Sequence, residues 1–140
     1  MTAMFFKAPK FNGLLTNNGR FPRVTSMWLM FTGAEAFNQD VSNWFVGLVD
    51  NMEAMFQDAT SFNQDISGWD FGVRPVNIDS MFFNAQSFNQ DLCAWREKLR
   101  NAGNDGYYFE VFRRTNCEDE GRWGDVDFSL GLPATMCHPC

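Results

Sequence analysis

Met55-Phe56-Gln57-Asp58-Ala59-Thr60-Ser61-Phe62-Asn63-Gln64-Asp65-Ile66-Ser67-Gly68-Trp69 decides the fold, because most of it is written three times in this chain. A Phe-Asn-Gln-Asp-aliphatic string leading to a Trp runs from Phe37 to Trp44, from Phe62 to Trp69 and from Phe88 to Trp95, at spacings of 25 and 26 residues. Ahead of each Phe stands Met-Phe, at Met30/Phe31, Met55/Phe56 and Met81/Phe82, then Ala34, Ala59 and Ala85. An earlier copy passes through Met1, Met4, Phe5, Ala8, Phe11 and Asn12, with Gly13 and Leu14 in place of Gln and Asp. A degraded half-copy runs through Val111-Phe112 and ends at Cys117. Self-similarity at a fixed period of roughly 20–50 residues marks one supersecondary unit stacked on copies of itself, each too small to bury its apolar face alone.

Each unit divides into two local patterns. Val49, Met52, Met55, Phe56 and Ala59 form the stripe of a short helix with one buried face. Phe62, Gln64 and Ile66 alternate with Asn63 and Asp65 as a short strand would, and Ser67-Gly68 is turn chemistry before Trp69. One strand plus one short helix per unit predicts an α/β, leucine-rich-repeat-like solenoid of about four coils, with a right-handed all-β helix as the alternative. The expected organisation is a repeat region over 1–117, truncated at its N-terminus because Met1 falls on the position of Met27 and Met52, then an acidic cap over 118–140.

Charge narrows the partner. Residues 1–34 carry Lys7, Lys10, Arg20 and Arg23 and no acid, whereas residues 35–95 carry nine acids against Arg74. Such a surface argues against nucleic acid, since phosphate contacts need basic groups. No run approaches the ~20 apolar residues of a membrane span. All four cysteines, Cys93, Cys117, Cys137 and Cys140, lie in the last third, where a repeat array must be closed. Their even number predicts disulfides and an oxidising compartment, and of the three possible pairings Cys93 with Cys117 is expected.

The string Met-Phe-x-x-Ala-x-Ser-Phe-Asn-Gln-Asp-Ile-Ser-x-Trp of residues 55–69 resembles the bacterial surface-protein 26-residue repeats, the BspA-like repeats also found in mycoplasma lipoproteins. The resemblance covers about residues 1–95. It implies a leucine-rich-repeat-like array at the cell surface or outside the cell, with a binding or adhesive role, and it brings no catalytic residues to carry over.

Several residues invite sharper readings. The Met stripe reads as core filling rather than a soft-metal site. Phe37, Phe62 and Phe88, and likewise Trp44, Trp69 and Trp95, read as buried ladders rather than carbohydrate platforms. Cys137-His138-Pro139-Cys140 has thiol-disulfide exchange spacing but lies in a tail, where a structural role is expected. Asn38, Asp40, Asn63, Asp65, Asn89 and Asp91 are the candidate ligand face. Equivalent Asp carboxylates stacked ~4.8 Å apart repel by ~3 kcal/mol at an effective dielectric of 20. Each Asp is therefore expected to accept N–H groups from its own turn, with the Asn residues forming an amide ladder; a Ca²⁺ ion between Asp40, Asp65 and Asp91 is the alternative. No cofactor and no catalysis are expected. The function expected is a surface module binding a protein or glycan; end-to-end self-association into a structural layer is the alternative.

Overall fold

Turns closed one after another, not helix or strand ladders, shape the repeats. The computed structural model describes residues 1–15, 19–104, 107–117, 125–127 and 136–140. Inside the third unit the N–H groups of Met55, Ala59 and Phe62 donate to the carbonyls of Met52, Phe56 and Ala59 at 3.1, 3.1 and 2.9 Å. The N–H groups between them leave the unit: Ala54, Phe56 and Asp58 donate to Asp79, Met81 and Phe83 of the following unit, each at 2.9 Å. Leu29, Phe31 and Gly33 reach Glu53, Met55 and Gln57 in the same way. Alternate donors thus close turns or bind the next unit, so buried backbone is satisfied without regular secondary structure.

This overturns the expected strand-plus-helix solenoid and its all-β alternative. Among the described residues the helix is α1 (Trp95–Asn101), and the strands are β1 (Tyr107–Tyr108) and β2 (Val126–Asp127), paired antiparallel. None of these lies in a Met-Phe stripe, and only the first residue of α1, Trp95, belongs to a Phe-Asn-Gln-Asp string, as its last residue. The stripe cannot be helical because Leu29 and Gly33, Ala54 and Asp58, and Ser80 and Asn84 all take φ between 53° and 71°. Each non-glycine residue there costs roughly 1–2 kcal/mol, and a left-handed residue every fourth position interrupts helix hydrogen bonding. A chain of i to i+3 turns sends Met52, Met55, Phe56, Ala59 and Phe62 inward, an apolar spacing close to that of a helix face.

The expected strand fails for a different reason. Its partner across the unit boundary is side chain, not backbone. Asn63 N–H donates to Asn38 Oδ1 at 2.9 Å, and the Gln64 amide donates to both the carbonyl and Oδ1 of Asn38 at 3.0 Å. Asn12 serves Asn38 and Gln39, and Asn63 serves Asn89 and Gln90, with the same geometry. Replacing Asn63 by Ala orphans donors from Asn89 and Gln90, so we expect a loss of about 2–3 kcal/mol in urea unfolding. Asn63→Asp, which keeps the acceptor oxygen, should lose clearly less; equal losses would show that the ladder is not what matters.

Two columns of phenylalanine fill the core. Phe5, Phe31, Phe56, Phe82 and Phe112 stack with centroids 5.4, 5.5, 5.8 and 5.6 Å apart. Phe11, Phe37, Phe62 and Phe88 form the second column at 5.9, 6.0 and 6.0 Å. Within a unit the two rings lie 3.8–4.1 Å apart. Trp69 and Trp95 stack at 6.0 Å, and their indole N–H groups donate to Val41 and Ile66 carbonyls of the unit before. Gly72, at φ 69°, lies so close to Gly47 that a Cβ would sit 2.3 Å from its carbonyl oxygen, which is why no side chain is possible there.

The fourth unit departs from the pattern after its Trp. Trp95 and Leu99 bury one face of α1, Glu97 lies in its first turn, and Lys98 and Arg100 lie in its last, matching the helix dipole. Gly103, with φ 86°, follows its end. The Lys98 ammonium donates to the carbonyls of Ser67 and Trp69 at 2.9 Å, tying α1 to the third unit. Buried Asn104 accepts from Val76 N–H and donates to Leu99.

Candidate functional site

The Asp residues named from sequence face their own turns. Asp40 Oδ1 accepts from Ser42 N–H at 2.9 Å, Asp65 from Ser67 at 2.9 Å and Asp91 from Cys93 at 2.8 Å. Hydrogen bonds from the Ser42 hydroxyl and N–H hold the Asp40 carboxyl below its ordinary range, and Ser67 does the same for Asp65. Among the described residues no three carboxylate, thiol or imidazole groups gather as metal ligands. Asn38, Asn63 and Asn89 stand in the amide ladder; Asn89 Oδ1, its last rung, is buried without a donor among the described residues. Hydrogen bonds within the repeats engage the side chains of Asn38, Asn63, Asp40, Asp65 and Asp91, while Asn89 is held through its backbone N–H.

A depressed folded pKa stabilises above the unfolded value of 3.8, and the benefit fades as pH falls through the lower folded value. Acidification below about pH 4 should therefore lower Tm more in the natural protein than in Asp40→Asn/Asp65→Asn. That comparison cancels the general relief of negative charge, and identical acid profiles would contradict it.

The thiols pair differently from the expectation. Cys93 bonds Cys140 and Cys117 bonds Cys137, not Cys93 with Cys117, because the tail returns to the fourth unit: Leu92 N–H donates to Met136 O at 3.2 Å. Cys137 and Cys140 thus take separate partners and do not bond each other within Cys-His-Pro-Cys. His138 Nε2 lies 3.4 Å from the Asn89 carbonyl. Residues 118–124 and 128–135 of the expected cap lie outside the described residues.

A second set of polar groups converges around the left-handed residues of the Met-Phe turns. Lys7, Gly33, Asp58 and Asn84 occupy the same left-handed position in four successive units, and with Pro9, Glu35 and Thr60 they line a groove of about 410 Å³. Asn84 Nδ2 donates to Asp58 Oδ1 at 2.7 Å, orienting the carboxylate across the unit boundary. Thr60 Oγ1 lies 3.4 Å from the Glu35 carbonyl. Among the described residues neither Glu35 nor Asp58 makes an ion pair, while the Lys7 ammonium lies 5.2 Å over the Phe6 ring. The sequence reading missed this groove because its row varies, Lys, Gly, Asp, Asn, where the columns first noticed are constant. Its only sequence signal was a polar or glycine residue three after each Met.

An apolar cleft of about 530 Å³ lies elsewhere, lined by Arg20, Phe21, Pro22, Phe45 and Leu48. No helix among the described residues is long and apolar enough to cross a membrane.

No curated protein and no solved structure matches the chain. Residues 1–118, spanning the repeat units, match the family described as Mycoplasma protein of unknown function, DUF285. That supports a mycoplasma repeat family and does not extend to the BspA-like proteins in particular. The chain is a disulfide-bonded repeat protein belonging to the DUF285 family.

Proposed function

We propose that the chain is a non-catalytic binding module displayed at the cell surface or outside the cell, engaging a protein or glycan through the groove of Lys7, Glu35, Asp58 and Asn84. The observation that carries this reading is the division of labour among polar groups. Asn and Gln of the repeat strings hold neighbouring units together and Asp closes its own turn, whereas Lys7, Glu35, Asp58, Thr60 and Asn84 of successive units line one concavity. Disulfides suit an oxidising location. Labelled full-length protein should bind intact cells saturably, with periodate treatment of the cells abolishing binding to a glycan and trypsin abolishing binding to a protein. Failure to saturate on any cell type would remove the reading.

Self-association is the second reading, favoured by Met4, which is 53% exposed where its equivalents Met30, Met55 and Met81 are fully buried. Sedimentation over a wide concentration range distinguishes it: monomers throughout would dismiss it.

A further inference from the structure

The groove has a charge character that narrows its ligand, and the inference rests on the binding reading above. We propose that it recognises a cationic polypeptide segment, seating a lysine or arginine side chain against Glu35 and Asp58. Both carboxylates line the same concavity and neither is neutralised by a basic side chain among the described residues. The cation at the groove's end, Lys7, is turned over Phe6. Asn84 Nδ2 donates to Asp58 Oδ1 at 2.7 Å and Gln57 Nε2 to Asp58 Oδ2 at 3.5 Å, which fixes the carboxylate and leaves further lone pairs for an incoming donor.

Space for the incoming group comes from Gly33. It is the one residue of the row Lys7, Gly33, Asp58, Asn84 without a side chain, so the row is open between Lys7 and Asp58. An added Cβ there would meet only ordinary contacts with Lys7, at 3.4 Å or more. Nothing in the packing forces glycine, and Asn84 fills the equivalent position at φ 58°. The wider field agrees: residues 35–95 carry nine acids against Arg74, which steers cations toward the groove and disfavours anionic partners. A neutral saccharide would make no use of this charge.

The test uses the full oxidised chain and tetralysine, with tetra-N-acetyllysine and cellotetraose as neutral probes, by titration at low and moderate salt. One saturable site for tetralysine is expected, weakening as salt rises, with no binding of the acetylated peptide. Glu35→Gln/Asp58→Asn should weaken it by about tenfold or more. Asp50→Asn/Asp70→Asn removes the same charge outside the groove and should cost less than about twofold. Gly33→Asn, which puts a residue tolerant of the left-handed conformation at φ 71°, should also remove binding while lowering Tm by only a few degrees and leaving the protein folded. Equal weakening by the two double variants would reveal diffuse attraction and overturn the site, as would binding that survives both Glu35→Gln/Asp58→Asn and Gly33→Asn. Binding of cellotetraose that Gly33→Asn removes would keep the groove as a binding site and overturn its cationic ligand. No binding of any probe would overturn the cationic ligand alone, since cell binding tests the broader reading separately.

Discussion

Truncating Phe62 to Ala should lower unfolding stability by about 3–5 kcal/mol, the range for a fully enclosed aromatic ring. Phe62 has no exposed surface. Its ring lies 3.9 Å from Phe56 within its unit and 6.0 Å from both Phe37 and Phe88 in the units on either side. Removing it opens a void between three units, and the backbone cannot collapse into that void. The donors of Ala54, Phe56 and Asp58 and the Asn38–Asn63–Asn89 ladder fix the spacing between units at several points. Phe11→Ala is the informative comparison, because Phe11 is only half-buried in the first unit and should cost markedly less. Urea denaturation of both variants measures the difference; similar losses would mean that the columns do not carry the core.

That contrast depends on the repeat period, which was plain in the sequence because residues that must stack have to recur. Phe56 and Phe62 recur as Phe82 and Phe88, and Asn63 as Asn89, since each meets its own kind across the boundary. The local conformation was not legible. Met52, Met55, Phe56 and Ala59 point inward from a helix face or from a chain of i to i+3 turns with nearly the same spacing, so apolar periodicity could not separate them. What would have separated them is the left-handed backbone, and the residues adopting it, Leu29, Ala54 and Ser80, are not the glycines that usually announce it. Inter-unit hydrogen bonds hold them there, and those depend on the completed stack.

The site was less legible than the fold for the same reason. Constancy drew attention to Asp40, Asp65 and Asp91, but in a repeat protein a constant polar residue first serves the repeat, here by accepting Ser42, Ser67 and Cys93 N–H groups. The groove residues Lys7, Gly33, Asp58 and Asn84 differ from unit to unit, so their conformational equivalence becomes visible only when φ is known. The even cysteine count pointed to disulfides, while the pairing depended on the path of the tail.

Reduction of those disulfides should have the other large effect. Cys93–Cys140 spans 47 residues and Cys117–Cys137 spans 20. Closing loops of those lengths removes unfolded-chain entropy worth about 4 and about 3 kcal/mol respectively. The shorter loop lies inside the longer, so the two contributions should not add in full. The loss should also be local. The larger loop contains α1, β1, β2 and the half-copy through Phe112, whose links to the fourth unit include Phe82 N–H to Val111 and Asn116 N–H to Phe88. Residues Met27 to Phe62 lie outside it and keep their own inter-unit bonds. Hydrogen exchange on reduced protein should therefore show protection falling in α1 and over residues 107–117 while the amides of Phe31, Phe56 and Phe62 stay protected. Uniform loss along the chain would mean that the repeats unfold as one unit with the tail, and unchanged exchange would mean that the disulfides close an end already held by packing alone.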